Sequence, residues 1–135
     1  MHFFEASTTF LDHRALNIQG EKAKYFIGMN NADESDDIVV SFVFNTERRM
    51  DLYHLGCNKK AEKYIIPPNS LSFISDYSSI MLAVPTYYKL KDIIESYTAN
   101  IFEKPDMKIL REIKNCIDTN NIPLKFQHLI KESFK

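Results

Sequence analysis

The chain has 135 residues, 44% hydrophobic and 26% charged, a composition that excludes disorder as its general state and supports one domain with a buried core. Its formal net charge of −1, from 17 basic and 18 acidic residues, weighs against a dedicated duplex-DNA binder, which carries a basic field. No segment approaches the ~20 apolar residues of a membrane span.

Phe3 to Leu11 mixes aromatics with Thr8 and Thr9 and reads as a strand. Asp12 to Gly20 reads as a turn or a short helix. Lys22 to Met29 reads as a second strand, with Ala23, Tyr25 and Ile27 on one face. Asn30 to Asp37 is polar and acidic, a loop by composition. Ile38 to Phe44 is the clearest strand. Ile38, Val40, Phe42 and Phe44 share one face and Val39 and Val43 the other, so both faces are expected to be covered. Met50 to Leu55 follows a turn and is expected to close a hairpin with it. Tyr64 to Ile66 is apolar and stops at Pro67-Pro68. Leu71 to Ile74 and Ile80 to Val84 are two further short strands, with Asp76 to Ser79 as the turn between them.

Pro85 marks a change of period. Leu90, Ile93, Ile94, Tyr97 and Ile101 recur at three and four residues, the stripe of a first helix. Pro105 and Asp106 suit the start of a second, striped by Ile109, Leu110, Ile113, Cys116 and Ile117. Asn120-Asn121 ends it. Pro123 opens a third, striped by Phe126, Leu129, Ile130 and Phe134. The expected fold is α+β: an antiparallel sheet of five or six short strands over roughly the first 84 residues, then three helices packed on one face. Residues 1–135 read as one domain, with Pro67-Pro68 the only candidate boundary.

No residue set has the spacing of a catalytic or metal centre. His54-x-x-Cys57 has zinc-ligand residue types but too few partners. His2, His13 and His128 show no paired spacing. Cys116 sits on an apolar helix stripe, while Cys57 after Gly56 is the better thiol nucleophile. Both cysteines are expected to remain reduced in a cytoplasm. The start, Met1 to Glu5, lacks the basic region and apolar run of a signal peptide, which points the same way. Gly20, Gly28 and Gly56 stand alone, so no phosphate loop forms. No cofactor is expected.

Asp33, Glu34, Asp36 and Asp37 form the sharpest charge cluster. The loop lacks the glycine and distant glutamate of a calcium loop. It reads as a solvated loop or as an acidic docking patch for a basic partner, which would speed association. Exposed tyrosines such as Tyr53 and Tyr87 are the candidate aromatic anchors for such a partner. At helical spacing only one of Tyr87 and Tyr88 shares the first helix stripe, which leaves the other for a partner.

In size and composition, though in no motif, the chain resembles small bacterial and phage-borne inhibitors such as immunity proteins and antitoxins. That resemblance implies a non-enzymatic protein that neutralises a partner such as a basic toxin nuclease. A small-molecule or catalytic domain with a pocket near His54 and Cys57 is the alternative. A DNA-binding regulator using the last two helices, with Lys125, Gln127, His128 and Lys131 as its polar face, is the third reading.

Overall fold

The computed structural model describes residues 3–12, 24–94, 99–101 and 103–133. The chain is α+β, with an antiparallel sheet first and helices towards the C-terminus. Its strands are β1 (Phe3–Phe4), β2 (Thr9–Asp12), β3 (Lys24–Gly28), β4 (Ala32–Asp33), β5 (Ile38–Thr46), β6 (Gly56–Asn58), β7 (Lys63–Ile66), β8 (Ser78–Met81), β9 (Thr86–Lys89) and β10 (Ala99–Ile101). The helices are α1 (Leu90–Ile94), α2 (Met107–Cys116) and α3 (Leu124–Ser133). Strands β1 and β4 pair with each other. The remaining eight form one sheet in the order β10-β2-β3-β5-β8-β7-β6, with β9 paired to β5. The sheet therefore holds more strands than the five or six expected, because Tyr87 and Ile101 belong to it.

Strand β5 organises everything. Its run of Val, Ile and Phe suits a pleated surface covered on both sides. On one face Val40, Phe42 and Phe44 join Ile27, Tyr64, Ile66 and Ile80 in the larger core cluster. Helices α2 and α3 close that face with Leu110, Ile113, Leu129 and Ile130. On the other face Val39 packs with Phe4, Phe10 and Phe26, covered by Leu90 and Ile93 of α1. Two helices thus cover the first face, and the short α1 turns to the opposite one rather than joining them. The two-residue period assigned each β5 side chain to its observed face.

Strand β3 leaves β5 at Gly28, and a side chain continues the ladder. Fully buried Asn30 accepts from Val40 N through Oδ1 at 2.7 Å and donates from Nδ2 to the Ile38 carbonyl at 2.8 Å. These bonds satisfy backbone groups that would otherwise be orphaned in the core. Gly28 is the tight point beside it. A Cβ there would lie within 2.6 Å of Phe4 Cζ and 2.7 Å of Val39 Cγ1. Gly28→Ala is expected to cost about 2 kcal/mol, the range of an overpacked core, as measured by chemical denaturation.

Several local expectations give way to pairing. Met50 to Leu55 forms turns and irregular chain, not a hairpin strand. The partners of β5 are β3, β8 and β9 instead. Leu71 to Ile74 is a turn whose apolar side chains still reach the core. Phe3 to Leu11 is broken between β1 and β2 at Ser7, which has a φ of 78°. Thr86 to Lys89 is strand rather than helix, since tyrosines favour a pleated surface and β5 offers them an edge. Ile101 lies in β10, opposite Phe10, instead of on the first helix. Tyr97, Phe134, Ala23, His2, His13 and most of Asp12 to Gly20 lie outside the described residues. At α2 the Asp106 carboxylate accepts from Ile109 N at 2.9 Å, the N-cap expected from Pro105-Asp106.

Candidate functional site

The acidic segment runs from the last residue of β4 through the short connection to β5, and its first residue is spent internally. Asp33 Oδ1 accepts from Ser35 N at 2.9 Å, Ser35 Oγ at 2.7 Å and Asp36 N at 3.0 Å. The Ser35 hydroxyl, then the two backbone N–H groups, hold the Asp33 carboxyl below the ordinary aspartate range. Asp33 therefore shapes the loop. Glu34 and Asp36 are exposed along it and Asp37 is half-buried. The Asp37 carbonyl accepts from Leu90 N at 2.7 Å, which fixes the loop against the end of β9.

The β5–β9 register then carries Tyr87 to this end of the molecule. Val40 stands opposite Tyr87 and Val39 opposite Tyr88. Strand alternation sends the two tyrosines to opposite faces. Tyr88 packs edge-on against Phe10 and Phe26 and donates to Asp12 Oδ2 at 2.7 Å. Burial, with that hydrogen bond, pushes its hydroxyl far above the usual tyrosine range. Tyr87 takes the other face, 37% exposed, with its ring 5.0 Å from that of Phe126 on α3. Leu124, 82% exposed, opens the same helix, and Lys125 Nζ lies 4.9 Å from the Phe126 ring centre. His128 Nε2 sits 3.9 Å from Asp36 Oδ2. The loop, Tyr87 and the outer side of α3 therefore form one continuous surface. It carries four carboxylates against Lys89, Lys125 and Lys131, with His128 between.

Tyr53 does not belong to it. Its ring lies 4.4 Å beneath Lys63 Nζ, and Lys63 pairs with Glu47 just beyond the other end of β5. From Val40 to Glu47 the strand rise puts this cluster roughly 20 Å from Tyr87. The two tyrosines named as anchors are thus at opposite ends of one strand.

The thiol reading is corrected. Cys57 and Cys116 are joined in a disulfide, with their Cα atoms 5.6 Å apart. The bond ties β6 to the last residue of α2, and no free thiol remains to act as nucleophile or ligand. His54 Nε2 donates to the Cys57 carbonyl at 3.0 Å, so this histidine belongs to the same turn rather than to a ligand set. Among the described residues no three His, Cys, Asp or Glu side chains converge on a metal position. No helix among them is long and apolar enough to cross a membrane.

Two hollows are described, and neither is lined by His54 or Cys57. One is a slot of about 10 Å³ between the sheet and α2, walled by Ile27, Phe44, Ile66, Ile109 and Ile113. That is room for little more than a water, in a wall that is apolar except for Ser70. The other is an open cleft of about 210 Å³ where β3, the end of β5 and the 73–78 segment meet. Lys24, Tyr25, Asn45, Thr46, Phe73 and Asp76 line it. Nothing in the local pattern announces it, because its walls come from three distant segments; the one signal was Tyr25, an aromatic on the core-facing side of a strand. No family model, no curated protein and no solved structure matches this chain.

Proposed function

We propose that this chain is a protein-binding module that docks through the surface built by the acidic loop, Tyr87 and the outer side of α3. The observation that carries the reading is their convergence. A net acidic rim surrounds a half-exposed Tyr87–Phe126 pair and the exposed Leu124 side chain. Charge at a rim steers encounter, and an aromatic at its centre supplies the buried anchor. The partner this surface suits is a protein with a basic, concave face, as a toxin nuclease would present. Neutralising such a partner needs no catalytic group. The filled core beneath supports the same reading, since it holds the surface in one shape.

The disulfide supports a working place oxidising enough to keep it, rather than the reducing cytoplasm expected from two scattered cysteines. A DNA-reading role for α3 is disfavoured by its neighbour, because Asp36 and the rest of the loop would repel phosphates approaching His128.

The test is affinity capture from the native host, followed by association kinetics with the captured protein. Replacing Glu34, Asp36 and Asp37 by Gln, Asn and Asn is expected to slow association about tenfold and flatten its salt dependence. Tyr87→Ala is expected to speed dissociation by a similar factor. An unchanged on-rate in the first variant, with unchanged salt dependence, rules the docking surface out.

A further inference from the structure

We infer that the free edge of β9 is a self-association site, where a second copy of this chain adds its own β9 antiparallel to the first. The inference does not rest on the docking reading. Tyr87 belongs to both surfaces, so the two uses exclude each other.

The edge is open by the topology of the sheet. Among the described residues β9 pairs with β5 alone. Strand β7 covers the preceding strand β8 as far as Leu82, whose N–H donates to the Glu62 carbonyl at 2.8 Å. The chain before Glu62 is a short 3-10 turn, so the covering strand ends there. Pro85, in the uncovered stretch, has no N–H to leave unpaired.

The other side of β5 fixes which way each backbone group points. Val40 N–H donates to Asn30 Oδ1, and the Val40 carbonyl accepts from Met29 N at 2.8 Å, so Val40 is turned towards β3. Alternation then turns Val39 and Ser41 towards β9, against Tyr88 and Thr86. Leu90 N–H, bonded to the Asp37 carbonyl at 2.7 Å, keeps the same phase. Tyr87 and Lys89 therefore direct both of their backbone groups away from β5. Both residues are exposed. Two N–H and two C=O groups thus line an open edge, and an added strand is what satisfies such a row.

The spacing selects a second copy as that strand. Tyr87 and Lys89 are symmetric about Tyr88. A two-fold axis at Tyr88 sets Tyr87 opposite Lys89 of the second copy, and Lys89 opposite Tyr87 of the second copy. Both are hydrogen-bonded positions, so four hydrogen bonds form and no outward group is left over. Residues directly opposite share a face, so each Lys89 ammonium reaches a Tyr87 ring, which is 37% exposed. A lysine on an edge ordinarily discourages pairing; here it meets a tyrosine rather than another lysine. The acidic loop adjoins the Leu90 end of β9, and antiparallel pairing sends the two loops to opposite ends of the join.

Sedimentation velocity on the full chain tests this. A dimer is expected to be minor at about 10 µM and dominant at about 1 mM, the range that four exposed hydrogen bonds and two ring contacts support. Lys89→Pro removes one outward N–H and leaves the bonds to β5 intact, and is expected to weaken the dimer about tenfold. Lys89→Ala keeps that N–H and is expected to weaken it only about threefold. Amide spectra report whether the proline variant stays folded. Hydrogen exchange of the natural chain supplies a readout that needs no variant: the Tyr87 and Lys89 amides are expected to slow as concentration rises, while those of Thr86 and Tyr88 do not change. A chain that stays monomeric to about 1 mM overturns the inference. So does a dimer that folded Lys89→Pro forms as tightly as Lys89→Ala, or slowing that falls on other amides. Slowing at Tyr87 and Lys89 that appears only when a captured protein is added gives the edge to that protein and overturns the second copy.

Discussion

Cys57→Ala is expected to lower stability by about 4 kcal/mol, because the lost disulfide closes a segment of 59 residues. Loop closure restricts the unfolded chain more as the closed loop lengthens, and this loop runs from β6 through β7, β8, β9, α1 and β10 to the end of α2. For a chain of this size that is a fall in Tm of roughly 15 °C. Within the fold, α2 keeps other ties. Lys59 Nζ donates to the Asn115 carbonyl at 2.8 Å, and the Tyr64 hydroxyl donates to Glu112 Oε1 at 2.8 Å. The variant is therefore expected to remain folded at room temperature. Dithiothreitol should produce the same fall in the natural chain and none in the variant, as read by thermal melts with and without reductant. A natural chain whose melt ignores reductant would mean that the two thiols are not bonded. Cys57 is the position to change, since Cys116 is buried on the core side of α2 and its loss would add a packing defect.

The second large effect lies at the opposite end of β5. Glu47 is buried, accepts from Ser79 Oγ at 2.6 Å and pairs with Lys63 Nζ at 2.9 Å, while Lys63 caps the Tyr53 ring. Removing Glu47 leaves Lys63, which is half-buried, without its ion-pair partner and leaves the buried Ser79 hydroxyl without its acceptor. Glu47→Ala is expected to cost about 3 kcal/mol, or roughly 10 °C in Tm. Replacing both charges removes the orphan, so Glu47→Leu with Lys63→Met is expected to melt above the single variant. A double variant that melts below it would show that the pair contributes by net attraction.

The same pair sets a pH dependence. Burial pushes the Glu47 carboxyl up, yet hydrogen bonds from Ser79 and Lys63 hold it below the ordinary value of 4.5. A carboxyl more acidic folded than unfolded stabilises above the unfolded value and loses that contribution as pH falls through the folded one. Burial pushes Lys63 down, but the Glu47 bond outweighs it and raises Lys63 above 10.5. That contribution is complete below 10.5 and is lost as pH rises through the folded value. Between these limits the pair contributes fully. Melts of the natural chain are expected to fall steeply below about pH 4, and those of Glu47→Gln to fall less.

Parts of the candidate surface were legible as composition alone. The acidic loop stands out in any reading of Asp33 to Asp37, and Tyr87 stands out after Pro85. Their adjacency was not legible, because it depends on β9 pairing antiparallel with the first half of β5. Nor was the distance of Tyr53, which required β5 to run unbroken from Ile38 to Thr46. Asp33 looked like a contact residue and is a loop organiser, since only the backbone fold shows that its carboxylate faces Ser35 and Asp36.

Local periodicity by itself determined the α+β class, the two faces of β5 and the helices α2 and α3. Each of these is written in neighbouring residues, at spacings of two or of three and four. Tertiary structure alone decided that Tyr87 and Tyr88 form a strand, that Met50 to Leu55 does not, that Cys57 meets Cys116, and that Lys24, Asn45 and Asp76 share a cleft. Each of those depends on which distant segment supplies the missing hydrogen bonds or the facing wall. A backbone edge is satisfied by whatever strand reaches it, and that choice is a property of the whole packed chain.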